Sequence, residues 1–77
     1  MKKNLTVVDA RFAIDDPSSS CTIKLDVADI EMMAWFDHAD DKHARYPYMI
    51  YMKSGAHFFV TKSSGDVAEE RWLEVKR

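Results

Sequence analysis

Two runs rich in aromatic and β-branched residues, YPYMIYM at 46–52 and HFFVTK at 57–62, stand four residues apart, separated by Lys53, Ser54, Gly55 and Ala56. The spacing predicts a β-hairpin, because Gly55 takes positive φ without steric cost and can close a short connection. Strand alternation puts Tyr46, Tyr48, Ile50 and Met52 on one face and Pro47, Met49 and Tyr51 on the other. In the second run Phe58 and Val60 contrast with His57, Phe59 and Thr61. Both faces are substantially apolar, so both need cover. At about 25 cal/mol per Å², leaving two or three rings in water forgoes several kcal/mol, comparable to the whole stability of a small domain.

One helix is predicted to supply part of that cover. Ser63 or Ser64 is placed to cap it, with Asp66 three residues past Ser63 as a capping-box analogue. Val67, Ala68, Trp72 and Val75 then share a face. Asp66, Glu69 and Glu70 lie toward its positive start, and Lys76 and Arg77 at its negative end. A last strand over 71–77 is the alternative.

A single helix covers one face of a sheet. The other is left to residues 28–37, to a second copy of the chain, or to a target. Read as a helix, 28–37 puts Ile30, Met33 and Ala34 on one side and Met32, Trp35 and Phe36 on the other. Read as a strand, it puts Ile30, Met32, Ala34 and Phe36 on one face and Glu31, Met33, Trp35 and Asp37 on the other. The period and the aromatic pair favour a strand, while Met and Ala propensity favours a helix that would close the second face within the monomer.

Upstream, residues 5–14 read as a first strand and 15–20 (DDPSSS) as a turn. Residues 21–27 alternate cleanly, with Cys21, Ile23, Leu25 and Val27 against Thr22, Lys24 and Asp26. The expected fold is α+β: a small antiparallel sheet of four to five strands with a C-terminal helix packed on one face through Val67, Ala68, Trp72 and Val75, and 28–37 as the alternative place for a second helix.

Seventy-seven residues, 47% hydrophobic and 31% charged, describe one globular domain over 1–77, near the lower limit for a single core. The lone Cys21 excludes an internal disulfide framework and suits a reducing compartment. Asn4, Thr6, Asp9 and Arg11 break up any signal-peptide core, and no apolar run approaches the ~20 residues that span a bilayer. The expected location is the cytoplasm, with no membrane partner.

The net charge of −2 is unevenly spread. Nine acidic residues (Asp9, Asp15, Asp16, Asp26, Asp29, Glu31, Asp37, Asp40 and Asp41) face only Arg11 and Lys24 in the stretch 9–41. From Lys42 onward basic residues predominate but do not cluster on one element, which speaks against nucleic acid as the partner. The acidic half would suit a basic protein surface, where charge raises on-rate and specificity.

Catalytic chemistry is hard to place. His38, Asp40, Asp41 and His43 could ligate a metal, yet their spacing matches no tight signature and they fall in a polar loop. Cys21 with His57 would need a low-pKa thiolate beside a base, whereas Cys21 alternates with Ile23 and Leu25 as a small hydrophobe. With Gly55 and Gly65 the only glycines, there is no phosphate-cradling loop and no nucleophile elbow. No enzyme activity, metal or cofactor is expected.

The positions Asp29-Ile30, Ile50 to Gly55, Phe59-Val60, and Ser63/Ser64 before Val67 and Trp72 follow one plan: strand, turn, strand, glycine-turn hairpin, serine-capped helix. In outline this resembles the flagellar FlbD-like family and the LytTR DNA-binding domain, over about two-thirds of the chain. The resemblance implies topology only, since the acidic stretch 37–41 stands where a DNA reader would present basic residues, and no functional residue carries over. Small size and unusual composition also resemble phage-encoded accessory proteins that inhibit host defence systems, the anti-CRISPR type among them.

The expected function is therefore non-catalytic protein binding: a small phage-type inhibitor or regulator of a host protein complex with a basic surface, with a homodimer as a further expectation. The candidate contacts are the aromatic residues Trp35, Phe36, Tyr48 and Tyr51, flanked by Asp37, Asp40 and Asp41. Two alternatives remain open: a nucleic-acid-binding regulator using Lys53, Lys62, Arg71 and Arg77, and a metal-dependent protein using residues 38–43.

Overall fold

A computed structural model of the chain describes residues 4–36 and 44–76. Five strands, β1 (Leu5–Arg11), β2 (Ser20–Asp26), β3 (Ile30–Trp35), β4 (Tyr48–Met52) and β5 (His57–Val60), precede one helix, α1 (Lys62–Lys76). All neighbouring strands are antiparallel, in the order β2-β1-β5-β4-β3. The fold is α+β as expected, residues 30–35 form a strand rather than a second helix, and 71–76 belong to the helix.

The local reasons are visible at each turn. Gly55, at φ 100°, closes the β4–β5 hairpin, where the Met52 amide donates to the Ala56 carbonyl at 2.8 Å. The first strand stops at Arg11, short of the expected 14, because Ala13 and Ile14 bend back onto other partners. The Ala13 amide donates to Ser19 Oγ (3.0 Å), and Arg11 Nη1 donates to the Ile14 carbonyl (3.3 Å). Pro17–Ser19 form a 3-10 turn capped by Asp16, which accepts from the Ser18 amide at 3.0 Å.

Strands β2 and β3 are the two outermost strands, yet only Val27, Ala28 and Asp29 connect them. In a flat sheet, four spacings of ~4.8 Å would set them about 19 Å apart. The four residue steps from Asp26 to Ile30 reach about 14 Å at most. The sheet must therefore curl. It does so at β5, which meets β1 only at Ala10↔Val60 and Arg11↔Phe59. Beyond that short junction α1 takes the place of β5 beside β1: the Asp9 amide donates to Ser64 Oγ (3.0 Å), and Arg71 Nη1 to the Leu5 carbonyl (3.5 Å).

Inside the curl lies the core, with Val8, Val27, Ile50 and Val60 fully buried beside Ala68. The helix enters it by a face that shares Ala68 and Trp72 with the one expected but not Val67 and Val75. Gly65 and Ala68 are buried and Trp72 partly so, whereas Val67 (48% exposed) and Val75 (38%) are not. The smallest residues face inward because they let the helix axis approach the sheet, and Val67 then falls ~100° round from Ala68. The cap is also earlier than expected. Helix α1 begins at Lys62, and Thr61 Oγ1 accepts from the Ser64 amide at 3.4 Å, so Ser63 and Ser64 lie within its first turn.

Strand β3 departs from simple alternation. Ile30 opposes Met52, but Met32 already opposes Tyr51, so Glu31 is an extra residue in a β-bulge. The bulge resets the phase. Ile30, Met33 and Trp35 face the helix side with Tyr48, Ile50 and Met52, while Met32, Ala34 and Phe36 turn to the outer face. The expectation that Ile30 shares a face with Met32, Ala34 and Phe36 is thus corrected at its first member.

Candidate functional site

The outer face of β3, β4 and β5 carries one apolar strip. Its side chains arise from period two: Met49 and Tyr51 from β4, His57 and Phe59 from β5, and, past the bulge, Met32, Ala34 and Phe36 from β3 and its end. Cross-strand pairs hold them in register, Met49 beside Phe59, Tyr51 beside His57 and Met32 beside Tyr51. The Tyr51 and His57 rings lie 5.6 Å apart, and those of Phe36 and Phe59 6.0 Å apart at 35°. The Phe36 amide donates to the Pro47 carbonyl at 2.8 Å, which extends the ladder just past β3.

Met32 is 49% exposed, His57 is exposed, and Met49 and Tyr51 are half-buried. Helix α1 lies on the other side of the sheet. At its β1 margin the strip meets Arg11, whose backbone pairs with Phe59 and whose guanidinium sits 4.6 Å from the centre of the Tyr46 ring. Methionine adapts its shape to a partner, and tyrosine combines apolar area with a polar end. Chemically, the arrangement offers apolar area of the kind that a partner can bury.

The seven candidate contact residues divide across the sheet. Phe36 and Tyr51 lie on the outer face, in the strip. Trp35 and Tyr48 lie on the helix side with ring centres 4.7 Å apart in an edge contact. Tyr48 is only 7% exposed, and its hydroxyl donates to Asp66 Oδ1 at 2.5 Å. Burial and that bond push its phenol far above the usual range. Tyr48 is therefore occupied inside the fold, between β4 and α1. Asp37, Asp40 and Asp41 lie outside the described residues, as do His38 and His43.

Met32, Met49, His57 and Phe59 are not among the contacts expected from the sequence, although alternation already grouped Met49 with Tyr51 and His57 with Phe59. The signal that groups them is shared face, not residue type. Met32 was likewise grouped with Phe36 by alternation, and the bulge displaced only Ile30 from that face.

The other constellations come apart. Cys21 pairs with Ala10, whose side chain is buried on the helix side, whereas His57 pairs with Tyr51 on the outer face, so no thiolate–imidazole dyad forms. Among the described residues no three His, Cys, Asp or Glu side chains gather as a metal site. Of the basic residues considered for nucleic acid, Lys62 is ion-paired with Asp66 (2.8 Å), Arg71 bonds the Leu5 carbonyl, Lys53 sits in the hairpin turn, and Arg77 lies outside the described residues. A cavity of about 360 Å³ opens between Ala28, Ile30, Trp72 and Val75, but Glu31 and the lysines Lys53 and Lys76 ring it with both signs of charge, which selects no ligand.

No protein-family model matches the chain, and no curated protein or solved structure matches it either. No helix among the described residues is long and apolar enough to cross a membrane.

Proposed function

We propose that this protein is a non-catalytic protein-binding module whose contact surface is the outer strip of β3, β4 and β5, centred on Met49 and Tyr51. The observation that carries the reading is the side on which α1 packs: the helix serves the inner face, while Met32, Met49, Tyr51 and His57 present apolar area outward. Exposed contiguous apolar surface rimmed by charge is characteristic of interfaces, and tyrosine is enriched among residues that dominate binding energy.

The partner is a protein with an apolar centre bordered by Arg and Lys. Residues Asp37, Asp40 and Asp41 follow Phe36 directly in the chain, so three carboxylates are tethered within a few residues of the strip. Opposite a basic rim they speed encounter and select the orientation. Occupying such a site on a host complex is how a small inhibitor of the phage type acts, and that is the specific form of the proposal.

Selection of a displayed random-peptide library against the protein tests it. Enriched peptides should carry aliphatic or aromatic residues flanked by Arg or Lys. Their affinity should fall tenfold or more in Tyr51→Ala, and their association rate should fall in the double variant Asp40→Asn/Asp41→Asn. Peptides that bind both variants as well as the parent would overturn the assignment of the strip.

A further inference from the structure

A second surface lies at the edge of the sheet. Among the described residues β2 pairs only with β1. The Val27 amide donates to the Asn4 carbonyl at 2.9 Å and the Phe12 amide to the Ser19 carbonyl at 3.4 Å, which sets the phase of this ladder. Antiparallel geometry then turns the backbone amides and carbonyls of Cys21, Ile23 and Leu25 toward β1, and those of Ser20, Thr22, Lys24 and Asp26 outward. Strand β2 is seven residues long, free of proline and glycine, and unbroken in register. Natural edges are usually blunted by prolines, bulges or very short strands, none of which β2 has. The opposite edge, β3, is blunted by its bulge.

The exposure of β2 is also unusual for a strand with an apolar side. Ser20, Cys21, Thr22 and Lys24 are exposed, and Ile23 is only half-buried, although Cys21 and Ile23 stand on the helix side with Leu25. The protruding half of the β1–β2 hairpin therefore presents backbone groups along its edge and apolar side chains beside them.

We propose that β2 pairs antiparallel with β2 of a second copy of this chain, about a two-fold axis through Ile23. This register uses the whole strand and is self-complementary. At the hydrogen-bonded sites Thr22 faces Lys24 of the copy and Ser20 faces Asp26, so no charge directly opposes its like. At the closer, non-hydrogen-bonded sites Ile23 meets Ile23 and Cys21 meets Leu25, which covers the apolar side chains that the monomer leaves in water. A slip of one residue mismatches the outward backbone groups, and re-centring on Lys24 sets two ammonium groups face to face. The result is one sheet continuing across both copies, an isologous contact. The outer strip remains open in each.

Two measurements test this independently. Light scattering across a wide concentration range should give the mass of two chains for the parent. It should give one chain for Thr22→Pro, whose lost amide points away from β1 and leaves the β1–β2 ladder intact. In a Cys21→Ser background, Ile23→Cys should form a covalent dimer on mild oxidation, because residues facing each other at a non-hydrogen-bonded site have Cα atoms ~4.5 Å apart, within disulfide range. The parent should not, since its two Cys21 residues would stand about 14 Å apart along the strand. Ser54→Cys in the same background serves as a control at the hairpin turn. A parent that stays a single chain at every concentration, a dimer that persists in Thr22→Pro, or a control that cross-links as readily as Ile23→Cys would each overturn the proposal.

Discussion

Gly65 of α1 lies against the ring of Tyr48 in β4 so closely that a β-carbon at position 65 would overlap Cδ2, Cγ and Cε2 of that ring. Two effects of Gly65→Ala therefore oppose each other. Helix propensity favours alanine by about 1 kcal/mol. Overpacking a filled core costs about 1–3 kcal/mol. The ring has little room to retreat, because Asp66 holds its hydroxyl and Trp35 sits edge-on to it at 4.7 Å. The expected net effect is destabilisation, read as a lower urea midpoint; a midpoint at or above the parent's would show that Tyr48 can move aside.

The same contact shapes the response to acid. Hydrogen bonds from Lys62 first, and then from Tyr48, hold the Asp66 carboxyl below its ordinary 3.8. A carboxylate whose pKa is lower when folded than when unfolded contributes stability that is present above the unfolded value and is lost as pH falls through the folded one. Asp16, held low chiefly by the Ser18 hydroxyl and amide, adds to the same acid-side loss. Carboxyl-detected NMR titration should therefore show the Asp66 pKa rising in Lys62→Ala and, by less, in Tyr48→Phe, with a shallower loss of stability below about pH 4 in both. An unmoved Asp66 in Lys62→Ala would remove the ion pair from the account. Tyr48→Phe itself should lower the urea midpoint at neutral pH, because the buried phenol loses a hydrogen bond to an ionised carboxylate.

Neighbouring residues on β4 separate fold from function. Ile50 is fully buried, and Ile50→Ala should cost about 2–5 kcal/mol through lost contacts and the space left behind. Tyr51, one residue on, faces outward and is half-buried, so Tyr51→Ala should cost about 1 kcal/mol or less while removing most peptide affinity. Chemical denaturation of both variants checks this. Equal losses would mean that the outer strip is part of the core rather than a contact surface.

Much of this architecture was legible because period two is a strong signal where Gly55 or Pro17 marks the turn: the β4–β5 hairpin and the alternation of β2 read directly from residue types. Three features were not legible, each for a physical reason. The inward face of α1 is chosen by close approach, so Gly65 and Ala68 displace Val67 and Val75, although hydrophobicity ranks them the other way. The helix is capped by Thr61, whose hydroxyl accepts from the Ser64 amide, while the Ser64 hydroxyl accepts from the Asp9 amide of a distant strand. The bulge at Glu31 leaves no mark in composition. Of the candidate contacts, Tyr51 and Phe36 lie in the outer strip while Tyr48 and Trp35 face the helix, since aromatic rings serve cores and interfaces alike, and only the face separates the two roles.

The bulge makes the last prediction. Deleting Glu31 removes the extra residue without disturbing the phase on either side of it. Ile30 would still face the helix, Met32 outward, and Met33 and Trp35 the helix. The variant should fold with a change of about 1 kcal/mol or less, and should gain a straight β3 edge that associates more readily at high concentration. Deleting Ala34 instead inverts everything after it: Trp35 would leave its contact with Tyr48 for the outer face, and Phe36 would be driven inward. That variant should lose several times more stability. Urea unfolding with amide NMR spectra of the two deletions distinguishes them, and a Glu31 deletion as damaging as the Ala34 deletion would mean that the bulge fits β3 to the curl of the sheet rather than merely resetting its phase.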